Sequence, residues 1–348
     1  MPIRIRMVLF LLVSLLLLGG CGGESDDDAD GGPAASGKTA QAADGTTFPQ
    51  TVEHNFGSTT VTKKPERVAI VGLTEQDTVL QLGYKPIATT EWYGDQPSAV
   101  WPWAREALGD SKPTVLDNSD GFDVEKLAAL RPDLIIGVNS GMDKKAYEQL
   151  SKLAPTIPAG KGSLDFFSPW DEQVELISKA LGKPEEGLRL VEQVKADYAK
   201  AAAANPEFKD KTVTFSQNAF YDGLLYVYQQ GLNTEFLEYL GFTINPKLTP
   251  LAKNPGEQVS VSEERLDVID ADVIVFATEK PSDIANFKKV PTFRFLNAVK
   301  GKHAVYTDAT LSGAMYFMTP LALEYVRERL TPELAKAVAG EAPEEMVG

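Results

Sequence analysis

From Arg67 onward, short apolar runs alternate with stretches whose apolar residues recur at helical spacing, the pattern of an α/β chain with largely parallel sheets. RVAIVG (67–72) predicts a strand, Thr74 can cap a helix that runs through Leu82, and Gly83 stops it. KPIATT (85–90) predicts the next strand, followed by a Trp-rich and Pro-rich loop that holds Trp92, Tyr93, Trp101 and Trp103. DLIIGV (133–138) predicts a third strand, with a helix from about Lys144 to Leu153 behind it. Between residues 170 and 204 the apolar spacing is helical, at Val174, Ile177 and Leu181 and again at Leu188, Val191, Tyr198 and Ala202. That segment is one long helix or two short ones, because Pro184 lacks an amide hydrogen and clashes with the preceding turn. After Asn205 and Pro206 the alternation resumes: TVTFSQ, GLLYVY, a helix near Glu235 to Leu240, DVIVFAT, HAVYTD and a final helix through Leu330. Two α/β lobes, 48–168 and 205–335, are therefore expected, joined by a long helical segment over 169–204.

An internal repeat supports two lobes. The stretch from Asp123 through Glu125 to Asp133-Leu134-Ile135-Ile136 aligns without a gap on that from Ser262 through Glu264 to Asp272-Val273-Ile274-Val275. In each copy a short polar residue opens a helix, a Glu follows two positions later, and an apolar strand begins after an Asp.

The first residues carry a different pattern. Arg4 and Arg6 precede an apolar run from Met7 to Leu18 that ends in Gly19, Gly20 and Cys21. The run is shorter than the roughly 20 residues a membrane span needs, and small residues sit at its end, so residues 1–20 are expected to be an export signal. Leu18-Gly19-Gly20-Cys21 resembles the bacterial lipobox, which implies a lipid on the Cys21 thiol. Residues 21–47, rich in Gly, Ala, Asp and Ser, are expected to form a disordered acidic tether, and the Asp26 to Asp28 run is a solvated charge run within it. Cys21 is the only cysteine, so no intramolecular disulfide is possible and stability rests on core burial. The formal net charge of −15 becomes more negative once Arg4 and Arg6 are removed, which speaks against nucleic acid as a partner.

Enzyme chemistry finds no foothold. Gly137-Val138-Asn139-Ser140-Gly141 lacks the spacing of a nucleophile elbow, Gly72-Leu73-Thr74-Glu75-Gln76-Asp77 lacks the glycines of a dinucleotide loop, and there is no P-loop. His54 and His303 are the only histidines, too few for a direct metal site of the usual kind, so no metal ligands and no cofactor are expected. What remains is a cleft. In α/β sheets ligands lie beyond the carboxyl ends of the strands. The loops expected there hold Glu91, Trp92, Tyr93, Trp101, Trp103 and Arg105 in the first lobe, with Asn139 in the turn after the third strand. The second lobe offers Gln217, Asn218, Phe220 and Tyr221, with Met315, Tyr316 and Phe317 near the last helix. Three of the four tryptophans fall in one Pro-containing loop, which suggests a solvent-facing aromatic wall.

PERVAIVGLTEQDTVLQLGYKPIATT, DVEKLAALRPDLIIGVNSG, YEQLSKLAPTI, SPWDEQVELISKALGKPEE and LNAVKGKHAVY, in this order and spacing, resemble the iron-siderophore substrate-binding lipoproteins of bacterial ABC importers over roughly residues 50 to 330. The resemblance implies two Rossmann-like lobes joined by one long helix, a ligand held between them, and no catalysis. It implies a protein anchored by lipid to the extracytoplasmic face of the cell membrane, with iron present only inside the bound chelate. Relatives carry hydroxamate, catecholate or citrate complexes of iron, or haem, or cobalamin. Cationic loop candidates are few here, chiefly Arg105, Lys112 and Arg294, the last expected on a surface helix, which favours a neutral or cationic hydroxamate. Haem or a corrinoid is the alternative ligand, and a lipid-anchored enzyme the alternative class. The resemblance further implies that Glu125 and Glu264 dock one lobe each onto the permease subunits.

Overall fold

The computed structural model describes residues 40–41, 45–163, 166, 168–254 and 258–348, without the side chains of 40, 41, 218 and 219. Cys21 and the signal and tether expected ahead of the fold lie outside the described residues, apart from 40–41 and 45–47 at the tether's end. At the tether's end Ala40–Gln41 pairs antiparallel with Thr47–Phe48, and a hairpin not anticipated from the sequence follows: β1 (Gln50–His54) and β2 (Gly57–Val61) pair antiparallel, with Gly57 at φ 122° in the turn.

The first lobe follows as β3 (Val68–Ile70), α1 (Gln76–Gln81), β4 (Ala88–Thr90), β5 (Thr114–Leu116), α2 (Val124–Leu130), β6 (Leu134–Gly137), α3 (Lys144–Leu150) and β7 (Thr156–Pro158). Its five strands are all parallel, in the order β5-β4-β3-β6-β7. Alternate side chains enter opposite cores: Val68, Ile70, Leu134 and Ile136 on one face, Ala69, Val71, Leu116 and Ile135 on the other. Burial on both faces is why these strands read as continuous apolar runs. The helix expected to start at a Thr74 cap starts at Gln76 instead, and Gly83, at φ 84°, ends that turn of chain as expected.

The segment expected as an interlobe helix over 169–204 is a helical hairpin, α4 (Trp170–Ala180) and α5 (Pro184–Ala204). Gly182 at φ 73° turns the chain, and Pro184 opens α5 where its missing N–H costs nothing. Trp170 and Val174 pack with Val194 and Tyr198 in the core of the second lobe, whereas Ile177, Ala180 and Leu181 sit in the first lobe's core. The chain thus crosses to the first lobe along α4 and returns along α5.

The second lobe comprises β8 (Thr212–Tyr221), β9 (Leu224–Tyr228), α6 (Glu235–Tyr239), β10 (Thr243–Ile244), β11 (Gln258–Ser262), β12 (Val273–Phe276), α7 (Pro281–Lys289), β13 (Ala304–Thr307), α8 (Ala309–Phe317), α9 (Pro320–Ala339) and β14 (Met346–Val347). The sheet runs β11-β9-β8-β12-β13-β14, with β10 also on β8. It is mixed: β9 pairs antiparallel with both β8 and β11, and the remaining pairs are parallel. The lobe also runs past the expected end at 335, since Met346 and Val347 add a strand beside Tyr306 and Thr307. The repeat is in register at its strands, but its helices differ. Asp123 caps α2 by accepting from the Lys126 N–H (2.9 Å), while Ser262 makes no cap bond and opens a kinked 3-10 helix, Glu263–Ile269.

Candidate ligand-binding cleft

The carboxyl ends of β3, β4, β5 and β6 converge on a cavity of about 530 Å³ whose wall includes Leu73, Glu91, Trp92, Asn118, Ser140 and Phe166. Asn118 ties the floor together, its Nδ2 donating to the Val71 carbonyl (3.0 Å) and to Thr90 Oγ1 (3.2 Å). Trp92 is half-buried and forms one side; beyond it the loop enters an aromatic cluster that joins the lobes. Trp92 meets Tyr93 edge-on (4.9 Å between centroids) and Phe317 of the second lobe (5.3 Å). Tyr93 in turn lies between Trp101 (5.1 Å) and Tyr316 (6.0 Å), and Tyr316 leads to Tyr228 (6.4 Å), which receives a hydrogen bond from Gln217 Nε2 (3.4 Å).

Behind this wall Trp101 stacks on Trp103 (5.1 Å, 12°). Trp103 Nε1 donates to Asp77 Oδ2 (2.7 Å), and the same oxygen accepts from Thr319 Oγ1 of the second lobe (2.6 Å). Asp77 is fully buried, which pushes its carboxyl up to about 6 despite the bonds from Thr319 and Trp103. Burial likewise drives the Tyr93 phenol far above its ordinary range, with Glu279 adding to it, and Tyr316 is raised by burial and then by Tyr228, Tyr93 and Glu279. Glu91 is raised by partial burial and by Asp95.

The expected site residues therefore part company. Trp92 lines the cavity, while Tyr93 and Tyr316 lie in the aromatic cluster beyond it and Gln217 donates to Tyr228. Trp101 is 3% exposed and is a core residue rather than a solvent-facing one, and Trp103 is committed to Asp77. Asn139 is buried, with Nδ2 on Thr74 Oγ1 (3.2 Å); its neighbour Ser140 faces the cavity. Arg105 binds Gln96 Oε1 (2.7 Å) and is not among the cavity-lining residues, Lys112 is exposed, and Arg294 lies over the exposed Phe295 ring. Gln217, Asn218, Phe220 and Tyr221 belong to strand β8 rather than to a loop, where the register with β9 shifts between Ser216 and Phe220. Phe220 packs on Phe287 in the core, Tyr221 is 54% exposed beside Tyr226, and the Asn218 side chain is outside the described residues. Asp77, Asn118, Phe166, Glu279 and Thr319 escaped the sequence argument; each is a single polar or aromatic residue whose importance comes from a partner far away in the chain.

Each histidine has at least one ring nitrogen engaged. His54 Nε2 pairs with Thr59 Oγ1 (2.9 Å) and burial lowers its pKa, while His303 Nδ1 faces the Ala337 carbonyl (2.5 Å). Among the described residues no group of three or more His, Cys, Asp or Glu is placed to hold a metal ion.

The profile of the periplasmic binding protein family matches residues 68–311, across both lobes. The chain belongs to that family. A solved periplasmic solute-binding protein of Mycobacterium smegmatis is 35% identical and superposes with a TM-score of 0.78 over 83% of this chain and 99% of its own. The iron(3+)-hydroxamate-binding protein FhuD of Bacillus subtilis is 27% identical over 96% of this chain and 98% of its own, and the Fe(3+)-citrate-binding protein YfmC of the same organism is 25% identical over 87% and 89%. The family resemblance seen in the sequence is thereby borne out, and with it the two-lobed α/β architecture. As a family member the protein is a substrate-binding component and not an enzyme.

Proposed function

We propose that the protein captures a ferric siderophore between its lobes, a neutral or cationic hydroxamate complex in preference to an anionic one, and delivers it to an ABC permease while anchored through lipid on Cys21. The observation that carries the ligand class is the composition of the cleft. Its wall carries the aromatic rings of Trp92 and Phe166 and the carboxylates of Glu91 and Asp117, the Tyr93–Tyr316 cluster lies beyond Trp92, and Lys126 on the cavity wall already donates to the Val115 carbonyl (3.0 Å). Aromatic faces enclose a large chelate without demanding a set pattern of hydrogen bonds. A strongly anionic citrate or catecholate complex would be desolvated beside carboxylates with little to pair it. A chelator that saturates its iron needs no ligand from the protein.

Exposure of Glu125 at the start of α2 and of Glu264 in the matching 3-10 helix supports their role as one permease contact per lobe. Native mass spectrometry of the protein against ferric hydroxamates, catecholates, citrate, haem and cobalamin tests the ligand class. A hydroxamate adduct that survives competition from the others is expected, and selective retention of citrate or a tricatecholate would overturn the preference.

A further inference from the structure

The turn after β3 and the turn after β6 meet where the strand order of the first sheet reverses, and a carboxylate is buried between them. Glu75 is 1% exposed. Its Oε1 accepts from the Asn139 N–H (2.6 Å) and its Oε2 from the Thr74 N–H (3.0 Å), and burial raises its pKa against these bonds. Two main-chain donors, one from each turn, thus hold one carboxylate, the arrangement of an anion-binding nest. Gly72 makes room for it: a Cβ there would stand 1.9 Å from Glu75 Oε1 and 2.3 Å from Oε2. The two turns are bound to each other around this point, Leu73 N–H donating to the Asn139 carbonyl (3.0 Å) and Asn139 Nδ2 to Thr74 Oγ1 (3.2 Å). On their outer side Leu73 and Ser140 line the 530 Å³ cavity.

In open α/β sheets an outside ligand takes this crevice at the switch point. We propose that here the chain fills it from within: the first lobe contains a carboxylate-binding cradle occupied by its own Glu75, which acts as a positioning residue for the cavity wall at Leu73 and Ser140. Removing the side chain beyond Cβ frees the volume of one methylene and one carboxylate, that of acetate, and leaves the Thr74 and Asn139 N–H groups facing it. The class of ligand the emptied cradle takes is therefore a small monocarboxylate. The consequence for chelate binding rests on the cleft function proposed above; the cradle itself does not.

The test is thermal melting of the full-length protein as Glu75→Ala, in acetate and in chloride at equal pH and ionic strength. Glu75→Ala is expected to melt below the wild type and to recover a few degrees saturably with acetate alone. Glu75→Gln fills the space but presents an amide N–H to a backbone N–H, so it is expected to melt low and to gain nothing from acetate. Acetate acting no better than chloride on Glu75→Ala, or Glu75→Gln melting like the wild type, would overturn the cradle. Should Glu75→Ala not fold, hydrogen exchange of the wild type decides: the Thr74 and Asn139 amides are expected to be protected like the β3 and β6 strands, and exchange at open-loop rates would overturn it. Ferric hydroxamate affinity of Glu75→Ala, lowered in chloride and restored in acetate, reads the positioning role separately.

Discussion

Asp77 holds one carboxylate oxygen between Trp103 and Thr319 and leaves the other, Oδ1, buried without a hydrogen-bond partner. Neither partner titrates, and burial outweighs the two hydrogen bonds, so its folded pKa of about 6 stands above the ordinary 3.8. An acid raised in this way contributes stability that is fully present below the unfolded pKa and is lost as pH rises through the folded one. The stability of the wild type relative to Asp77→Asn is therefore expected to increase by ~3 kcal/mol as pH falls from neutral to below 4, read from urea unfolding at several pH values. A difference that does not change with pH would contradict the assignment. Nothing near Asp77 in the sequence marks it, because Thr319 is 242 positions away. Trp92, which lines the cavity, was legible for the opposite reason: a large aromatic in a Pro-containing loop after a strand has few other uses. Trp101 shows the limit of that inference, since the same composition also builds a core.

Among the elements, the α4–α5 hairpin depends most on one small residue. Gly187 of α5 lies against α4 so closely that an added Cβ would stand 2.1 Å from Ser178 Oγ and 2.4 Å from its Cβ. Gly187→Ala improves helix propensity by ~1 kcal/mol but overpacks this contact, for a net loss of ~1–2 kcal/mol in denaturant unfolding. Ser178→Gly in the same chain is expected to remove most of the overpacking; if the double variant is no better than the sum of its parts, the contact is not the cause. The break at Gly182 to Pro184 was readable from backbone chemistry alone. That the two helices fold back on each other was not, because the apolar spacing is the same for a continuous helix. The parallel strands of the first lobe were readable from their unbroken apolar runs, whereas the β1–β2 hairpin is polar on one face and the β8–β9 register shift leaves no compositional mark.

At the scale of the whole molecule the lobes are joined by α4 and α5, by the aromatic cluster from Trp92 to Phe317 and by the Asp77 bond to Thr319. Three connections leave little freedom for wide hinge motion, so recognition by a permease would rest on surface groups at the lobe rims. Replacing Glu125 and Glu264 together with Ala is expected to leave chelate affinity unchanged and to abolish uptake in cells, measured with radioactive iron; normal uptake would remove both from the docking role. The two-lobed plan was legible because its internal repeat keeps strand register, as Leu134–Gly137 and Val273–Phe276 show. The cleft between the lobes was only partly legible, since the Tyr93–Tyr316 cluster beyond Trp92 exists only once the chain has folded. The central claim, that these aromatics enclose a ferric hydroxamate, is tested most directly by titrating the protein with one while following tryptophan emission, in the wild type and in Trp92→Phe. A ferric hydroxamate absorbs in the near ultraviolet, so saturable quenching is expected, with a smaller amplitude in the variant. Emission that is unchanged across hydroxamate complexes but quenched by ferric citrate would contradict it.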